Sequence, residues 1–514
     1  MNREKWGSKL GVIFAVAGSA IGLGNFLRFP AQAVKNGGGA FMIPYFISLF
    51  LLGIPLMWIE WTIGRFGGGF GHGTAPGIFH SLWKKNRFIK YFGVIGIFGP
   101  IAIFIYYIYI ESWLLAYMVF PLRSDFSLIS TKEEMISFLQ AYQGVVKNQY
   151  FSSILPAYFF FLITFAINLL IVFFGIKKGI EKVCKIAMPT LFVFAIILVF
   201  RVMSLRNLSN PDWSPLNGLG FLWNPDFSLL KDAKVWLSAA GQIFFTLSVG
   251  IGVILTYASY LSKDDDVLLS GLTSASANEF AEVILGGSIV IPAAFVFFGP
   301  IGIKEIANQG TFNLGFVTMP LILKSIPFGK IFEILWFLLL FLAGLTSSIS
   351  LAQPAIAFLE DEFNLSKRKS VFIFGIICFL LSHLSILFLS KGVVDELDFW
   401  GGTFSLVVFA TVETILFGWV FGMEKAWEEM HSGSDIKLPS FYKFIIKYIT
   451  PLFLICILIF WIIQDAIPIL LLRNIPKENL PYVLMTRIIL ILLFIVLCIL
   501  VKISWDKKGE KIES

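Results

Sequence analysis

Two glycine-rich stretches decide the fold of this chain: GSAIGLGN at residues 18–25 and TLSVGIG at residues 246–252. Each interrupts an otherwise apolar segment and also carries hydroxyl or amide side chains. Glycine weakens a helix by about 1 kcal/mol relative to alanine, so both segments are expected to break here. Isolated glycines would indicate close packing of membrane helices. Two such clusters at matching positions of two halves instead indicate an inverted repeat with a binding site near the middle of the membrane.

The rest of the chain consists largely of long apolar runs. Of its 514 residues, 57% are hydrophobic and 14% are charged, whereas soluble domains carry about a quarter charged residues. Backbone groups that face lipid must be hydrogen-bonded internally, which leaves helices or closed barrels. Because the apolar runs are continuous rather than alternating, the sequence predicts an all-α membrane protein.

Twelve membrane-spanning helices are predicted. They lie near residues 9–35, 39–67, 88–121, 156–175, 181–204, 235–261, 267–298, 328–361, 369–389, 395–422, 443–470 and 480–504. Five spans per half is an odd number, so the second half enters from the opposite side and a 5+5 inverted repeat results. The predicted units are the first repeat at 1–205, the second at 206–425, and two additional helices with a C-terminal tail at 426–514.

Lysine and arginine predict the orientation. They cluster before span 1, between spans 2 and 3, 4 and 5, and 8 and 9, and after span 12. With twelve spans all these clusters fall on one side, which is the cytoplasmic side of membrane proteins. The sequence therefore predicts a multi-pass protein of the cell (inner) membrane with both termini in the cytoplasm. The same clusters explain the net charge of +7, so no nucleic-acid partner is expected.

Neutral oxygen donors lie in the apolar segments beside the two breaks: Asn25, Thr246, Asn278, Thr346 and Ser347. Taken singly, each would be explained by a hydrogen bond between helices. Their position beside the breaks favours a site for a hard cation such as sodium, which an unwound helix also supplies with backbone carbonyls.

Carboxylates also lie within predicted spans, where a charge is costly and indicates function, and Glu60 and Glu282 are the clearest cases. Glu60 could serve only to stabilise a broken helix by accepting its backbone N–H groups. Glu111 lies less deep in its span. Glu282 follows Asn278 by one helical turn, so both are expected on the same face.

Other function classes find little support in the sequence. There is no HExxH, no GxxxxGK[ST] and no convincing pair of nucleophile and base, so the chain is not expected to be an enzyme. A channel would not need a pair of broken helices with mixed polar and aromatic neighbours.

Several motifs closely resemble the neurotransmitter:sodium symporter family, and within it the bacterial leucine-transporting branch. They are GNFLRFP at 24–30, NGGGAF at 36–41 followed by Pro44 and Tyr45, GQIFFTLS at 241–248 and AGLTSS at 343–348. The resemblance covers essentially the whole chain. It implies a sodium-coupled symporter that imports an amino acid by alternating access. Such a protein lies in the lipid bilayer, and a homodimer is possible.

The resemblance implies two sodium sites. The first would consist of the Ala20 carbonyl, Asn25, Thr246, Asn278 and the substrate carboxylate. The second would consist of the carbonyls of Gly18, Ile21 and Ala343 and the hydroxyls of Thr346 and Ser347.

It also implies a substrate site. The α-carboxylate would bind at Gly22, Leu23 and Gly24 with the Tyr107 hydroxyl. The amino group would bind the carbonyls of Ala20, Phe245 and Thr246 and the Ser248 hydroxyl. The substrate side chain would face Ile103, Tyr107, Phe245, Ile251, Ser347 and Leu351.

Two gates follow from the same resemblance. The outer gate would be Arg28 and Asp398, closing over Tyr107 and Phe245. The inner gate would be Arg3 and Asp361, with Trp6, Ser259, Tyr260 and Gln353 nearby.

Particular positions indicate the subclass. Gly22 stands where monoamine transporters of the family carry an aspartate, so the substrate is expected to bring its own carboxylate. Glu282 stands where chloride-dependent members carry a neutral residue, so no chloride requirement is expected. Ser19 and Ile251 replace the asparagine and phenylalanine of the leucine-transporting branch, and Ile251 should enlarge the pocket. We therefore expect a neutral, hydrophobic amino acid. The alternatives are another small carboxylated solute, or a sensor that binds an amino acid without transporting it.

Overall fold

The structure is a computed structural model that describes residues 4–308, 310–473 and 475–512, without the side chains of residues 465 and 508–512. All regular elements in this part of the chain are helices, so the predicted all-α membrane fold is confirmed. Ten helices in the described residues are long and apolar enough to cross a membrane. They are Gly39–Gly68, Ile89–Leu122, Leu155–Phe173, Ile176–Met203, Val267–Asn308, Gly329–Phe363, Lys367–Leu387, Val393–Val420, Phe441–Leu470 and Leu480–Lys507.

The two remaining predicted spans are broken helices. Lys9–Ala20 and Gly24–Lys35 meet at an angle of 46°, and the number of candidate spans rises to eleven if this pair counts as one. Segment 235–261 forms Ala233–Leu247 and Val253–Ala258, each shorter than the ~20 residues that a bilayer requires. The count of twelve spans and the 5+5 repeat therefore stay predictions.

Backbone geometry explains why the second break needs glycine. Gly250 and Gly252 have φ angles of 79° and 78°, in the left-handed region that side chains disfavour. A methyl group added to Gly250 would lie 2.6 Å from the Leu406 carbonyl oxygen, and one added to Gly252 would lie 2.5 Å from that of Gly96. Both the conformation and the close approach of neighbouring helices exclude a side chain.

The helices divide into an inner and an outer set. In the most apolar part of Ile89–Leu122, 89% of the residues are buried, against 18% in Phe441–Leu470. Gly329–Phe363 packs along Ile89–Leu122, and Lys9–Ala20 packs against Gly329–Phe363. Phe441–Leu470 and Leu480–Lys507 expose many apolar side chains, as expected for a surface that faces lipid. The two broken helices thus lie within the inner set.

One predicted span is longer in the structure than in the sequence analysis. The helix predicted at 267–298 continues to Asn308, but it bends at Gly299, whose φ is 65°. A methyl group at Gly299 would meet the Trp213 ring at 2.5 Å. The bend separates the predicted membrane segment from the connection that follows, which contains the short helices Thr311–Asn313 and Met319–Lys324.

Candidate functional site

A small cavity of about 70 Å³ lies between the two helix breaks. Eleven predicted substrate residues line the cavity: Ala20, Gly22, Leu23, Gly24, Ile103, Tyr107, Phe245, Ser248, Ile251, Ser347 and Leu351. Thr246, the remaining one, is buried behind it. The cavity therefore brings together residues from distant segments that were selected from sequence alone.

The sequence analysis missed part of the cavity wall. Tyr106, Ser350, Gly402 and Leu406 also line it. Tyr106 precedes a predicted residue and Ser350 lies three positions after one, so the register of a helix gave a usable signal for both. Gly402 and Leu406 belong to Val393–Val420, for which the sequence offered no sign of a substrate contact.

Gly22 lies close to Ser347 and Tyr107. A methyl group at position 22 would lie 2.8 Å from the Ser347 hydroxyl oxygen and 3.4 Å from that of Tyr107. An aspartate would thus displace Ser347. At Gly24, an added methyl group would contact the Phe245 ring at 2.6 Å. The absence of side chains at Gly22 and Gly24 lets the backbone of the break line the cavity directly.

Hydroxyl groups hold the first break from two sides. Ser248, which has a φ of 53°, donates a hydrogen bond to the Ser19 carbonyl at 2.9 Å. Ser347 donates to the same carbonyl at 3.2 Å and is 3.4 Å from the Gly18 carbonyl. The Ser19 and Ser350 hydroxyls are 2.8 Å apart. Ser248 was predicted to bind a substrate amino group together with the Ala20 carbonyl. In the structure its hydroxyl instead bonds the carbonyl of the preceding residue, Ser19.

Three predicted ligands of the first sodium site meet in one buried cluster. The Asn25 amide donates to the Asn278 side-chain oxygen at 2.8 Å and to the Thr246 hydroxyl at 3.3 Å. The Asn278 amide donates to the Thr246 hydroxyl at 2.9 Å. Asn25 also accepts the Gly22 N–H at 2.8 Å, which ties the cluster to the break. Neutral oxygens are therefore concentrated where a hard cation was predicted.

Glu282 is connected to this cluster through Thr246, whose hydroxyl donates to one of its carboxylate oxygens. The other oxygen accepts from Gln242 at 2.9 Å and from Tyr45 at 3.1 Å. Tyr45 also donates to Glu279 at 2.7 Å. The sequence analysis missed Tyr45, Gln242 and Glu279, although all lie in or beside the motifs that it singled out. A fully buried carboxylate thus lies one hydrogen bond from a predicted sodium ligand.

The predicted ligands of the second sodium site adjoin the other side of the first break. The Thr346 hydroxyl donates to the carbonyls of Leu342 and Ala343 at 3.0 and 3.2 Å. A methyl group at Gly18 would lie 3.0 Å from the Thr346 Cβ, so the two backbones approach closely. Ile21 and Ala343 are fully buried. Two hydroxyls and the carbonyls of a broken helix are therefore within reach of one another.

A second cavity lies next to the first, and the predicted outer gate lines it. Arg28, Tyr107, Phe245 and Asp398 all belong to its wall. The Arg28 guanidinium lies 4.1 Å above the centre of the Phe245 ring, a cation–π contact. Asp398 accepts a hydrogen bond from Tyr106 at 2.6 Å. The gate residues are thus assembled, but Arg28 stacks on the aromatic ring and Asp398 is held by Tyr106.

The predicted inner gate is described only in part, because Arg3 lies outside the described residues. Trp6 donates to the Tyr257 carbonyl at 3.0 Å and packs edge-on against its ring. Gln353 donates to the Tyr260 hydroxyl at 2.9 Å. Asp361 is half-buried near the end of Gly329–Phe363.

Other contacts complete this region. The Ser259 hydroxyl donates to the Thr256 carbonyl at 2.5 Å. Glu181, which the sequence analysis missed, accepts the Gly7 N–H at 2.6 Å and the Ser8 hydroxyl at 3.1 Å. It therefore anchors the N-terminal segment that carries Trp6.

The other two intramembrane carboxylates lie outside the substrate cavity. Glu60 accepts the Gly250 N–H, so it ties down the second break, as the simpler interpretation of this residue predicted. Glu111 accepts from Asn168 at 3.1 Å, and Asn168 accepts from Ser348 at 2.6 Å. This network joins three helices beside the second predicted sodium site.

Comparisons with known proteins identify relatives of this chain. A model described as the sodium:neurotransmitter symporter family matches residues 3–141 and 156–507. An uncharacterized sodium-dependent transporter of Methanocaldococcus jannaschii is 32% identical over 519 residues, 99% of each chain. The sodium- and chloride-dependent glycine transporter 2 of Xenopus laevis is 26% identical, over 89% of this chain and 64% of its own. The crystal structure of MhsT in complex with L-phenylalanine is similar with a TM-score of 0.75 and 30% identity, over 89% of this chain and 99% of that one.

Proposed function

This chain belongs to the sodium:neurotransmitter symporter family, and on that basis we propose that it imports a neutral, hydrophobic amino acid together with sodium by alternating access. It is a multi-pass membrane protein of a transporter family, so we expect transport and no catalysis. The observation that supports the proposal best is the cavity between the two breaks, whose wall combines the backbone of the first break with apolar side chains.

The two ends of the cavity suit the two ends of an amino acid. The backbone at Gly22 and Gly24 and the Tyr107 hydroxyl would bind the carboxylate. Ile103, Ile251 and Leu351 form an apolar wall for the side chain. A charged side chain would lose its hydration there without gaining a partner, which is costly. MhsT, whose crystal structure contains L-phenylalanine, supports a substrate of this kind.

Sodium would enter as a partner of the substrate carboxylate. Asn25, Thr246 and Asn278 are neutral, so they cannot offset the charge of a cation by themselves. The carboxylate would complete this first site, with the Ala20 carbonyl. A second sodium ion would bind the carbonyls of Gly18, Ile21 and Ala343 and the hydroxyls of Thr346 and Ser347. Glu282 would supply the negative charge that chloride supplies in other members.

Alternating access requires gates on both sides of this site. Arg28 and Asp398 would close the outer side above Tyr107 and Phe245, and Arg3 and Asp361 would close the inner side. The moving units would be the repeats 1–205 and 206–425, with 426–514 as additional helices. We place the protein in the inner membrane with both termini in the cytoplasm, because the basic connections fall on one side.

Uptake into proteoliposomes tests the proposal. An inward sodium gradient should drive accumulation of labelled phenylalanine, leucine or methionine, and potassium should not replace sodium. Unlabelled lysine and glutamate should compete poorly. Competition dominated by lysine or glutamate would contradict the hydrophobic site.

Counterflow distinguishes the alternatives. A transporter exchanges labelled for unlabelled amino acid across the membrane without a sodium gradient, whereas a sensor gives no counterflow despite measurable binding. Exchange of a carboxylated solute that lacks the amino group, without exchange of amino acids, would favour the other alternative.

A further inference from the structure

An apolar groove runs along the outer surface between the helices Leu155–Phe173 and Lys367–Leu387. Phe165, Phe372 and Leu380 are among the residues that line it, and Phe372 and Leu380 are 67% and 63% exposed. Arg368 is the charged residue in its wall. On this surface of a membrane protein the natural occupant is a lipid chain.

The length of the groove fits one leaflet of a bilayer. Along Lys367–Leu387, the distance from Arg368 to Leu380 is about 18 Å at 1.5 Å per helical residue. Half of a ~30 Å hydrocarbon core is about 15 Å. An acyl chain that starts at Arg368 would therefore reach the middle of the membrane within the groove.

Positive charge is concentrated at the Arg368 end. The Arg368 guanidinium lies 5.7 Å from the centre of the Phe173 ring, at the end of Leu155–Phe173. The next residue, Phe174, lines a depression together with Lys177, Lys178, Lys182, Lys185 and one acidic residue, Glu181. Glu181 pairs with Lys185. Basic residues therefore outnumber the acidic one by four to one in this depression.

We propose that this groove is a binding site for an anionic phospholipid. Its acyl chain lies between Phe165 and Phe372, and its phosphate is held by Arg368 with Lys177 and Lys178. A zwitterionic lipid carries its own positive group and gains less from this basic end. Each basic residue near a membrane surface contributes a factor of about five in affinity for anionic lipid, equal to ~1 kcal/mol at 1.4 kcal/mol per factor of ten.

Native mass spectrometry of the full chain tests the proposal, without sodium or amino acid. Phosphatidylglycerol and phosphatidylcholine with identical acyl chains are titrated into the wild type, Arg368→Gln and Lys85→Gln. Lys85 is an exposed basic residue of another connection on the same side and serves as the matched control. We expect the wild type to bind phosphatidylglycerol more tightly than phosphatidylcholine. The affinity for phosphatidylglycerol should be about five-fold weaker in Arg368→Gln and unchanged in Lys85→Gln. Inorganic phosphate at equal concentration should not compete, because it lacks the acyl chain.

Two further variants keep the test decisive if Arg368→Gln is unstable. Arg368→Lys should retain most of the selectivity, and the double variant Lys177→Gln/Lys178→Gln should lose it while Arg368 stays in place. Equal binding of both lipids by the wild type would overturn the proposal. Unchanged selectivity in both charge-removing variants would overturn it as well.

Discussion

At the scale of single residues, the environment of Glu282 bears on the charge balance of the proposed first sodium site. The carboxylate is fully buried, and its partners Thr246, Gln242 and Tyr45 all donate to it. Donors of this kind stabilise a negative charge. Because Thr246 is also a predicted sodium ligand, a negative charge on Glu282 would act on the proposed cation through a single shared residue.

The first prediction concerns chloride. Uptake by the wild type should be the same in chloride and in gluconate, because Glu282 supplies the negative charge. Glu282→Ser should lose most uptake in gluconate and recover it as chloride is added. Glu111→Gln is the control: it removes a buried carboxylate that bonds Asn168 outside the cavity, and it should create no chloride dependence. A chloride requirement in the wild type would show that our interpretation of Glu282 is wrong.

The second prediction concerns the size of the substrate pocket. Ile251 lines the cavity, and Ile251→Phe should weaken competition by tryptophan and phenylalanine more than competition by alanine. A change of one methylene in such a pocket is worth about 1–3 kcal/mol, so the preference should be graded. Competition uptake with alanine, leucine, phenylalanine and tryptophan measures it. Ile251→Leu keeps the volume and should preserve the ranking; an unchanged ranking in Ile251→Phe would mean that this residue does not face the substrate.

At the scale of elements, the breaks exist because the local backbone conformation and the contacts with neighbouring helices favour the same geometry. The second break combines left-handed residues with a carboxylate partner, since Glu60 accepts the Gly250 N–H. The first break is held by two hydroxyls: that of Ser248, which lies in the second break, and that of Ser347, which lies in Gly329–Phe363. A broken helix leaves backbone groups without helical partners, and each must be bonded by neighbours or by a ligand.

The third prediction tests the second break. Gly250→Ala should lower the melting temperature of the purified protein, because a side chain in the left-handed region costs ~1–2 kcal/mol and the methyl group would also collide with Leu406. Gly418→Ala is a matched control in a membrane helix, where the added methyl group would meet Lys447 at an ordinary 3.5 Å. It should leave the melting temperature equal or slightly raised. Equal melting temperatures for Gly250→Ala and the wild type would contradict this account of the break.

At the scale of the whole molecule, the two sets of helices have different surroundings. The inner set encloses the cavity and the polar clusters, whereas the outer set presents apolar side chains to lipid. The ligands that we propose at the breaks would therefore bind where several helices meet. Binding of one ligand would then be coupled to binding of the other through the same helices.

The fourth prediction follows from this coupling. Sodium should raise the affinity for phenylalanine, and phenylalanine should raise the affinity for sodium by the same factor, because equilibrium coupling is reciprocal. Titrations of labelled phenylalanine at several sodium concentrations, and of sodium with and without saturating phenylalanine, measure both factors. Potassium replaces sodium in the control. Equal affinity for phenylalanine in sodium and in potassium would disprove the shared first site.

The sequence by itself determined the helical membrane fold, the two breaks and most of the cavity wall. Long, continuous apolar runs indicate helices in lipid, because barrel strands would alternate, and the glycine clusters are local signals. The tertiary structure alone decided that Gly402 and Leu406 reach the cavity, that Tyr106 holds Asp398, and that Tyr45 and Gln242 surround Glu282. The physical reason is that a helix with apolar residues on every face carries no pattern that shows which face points inward. Only its packing against the other helices selects that face.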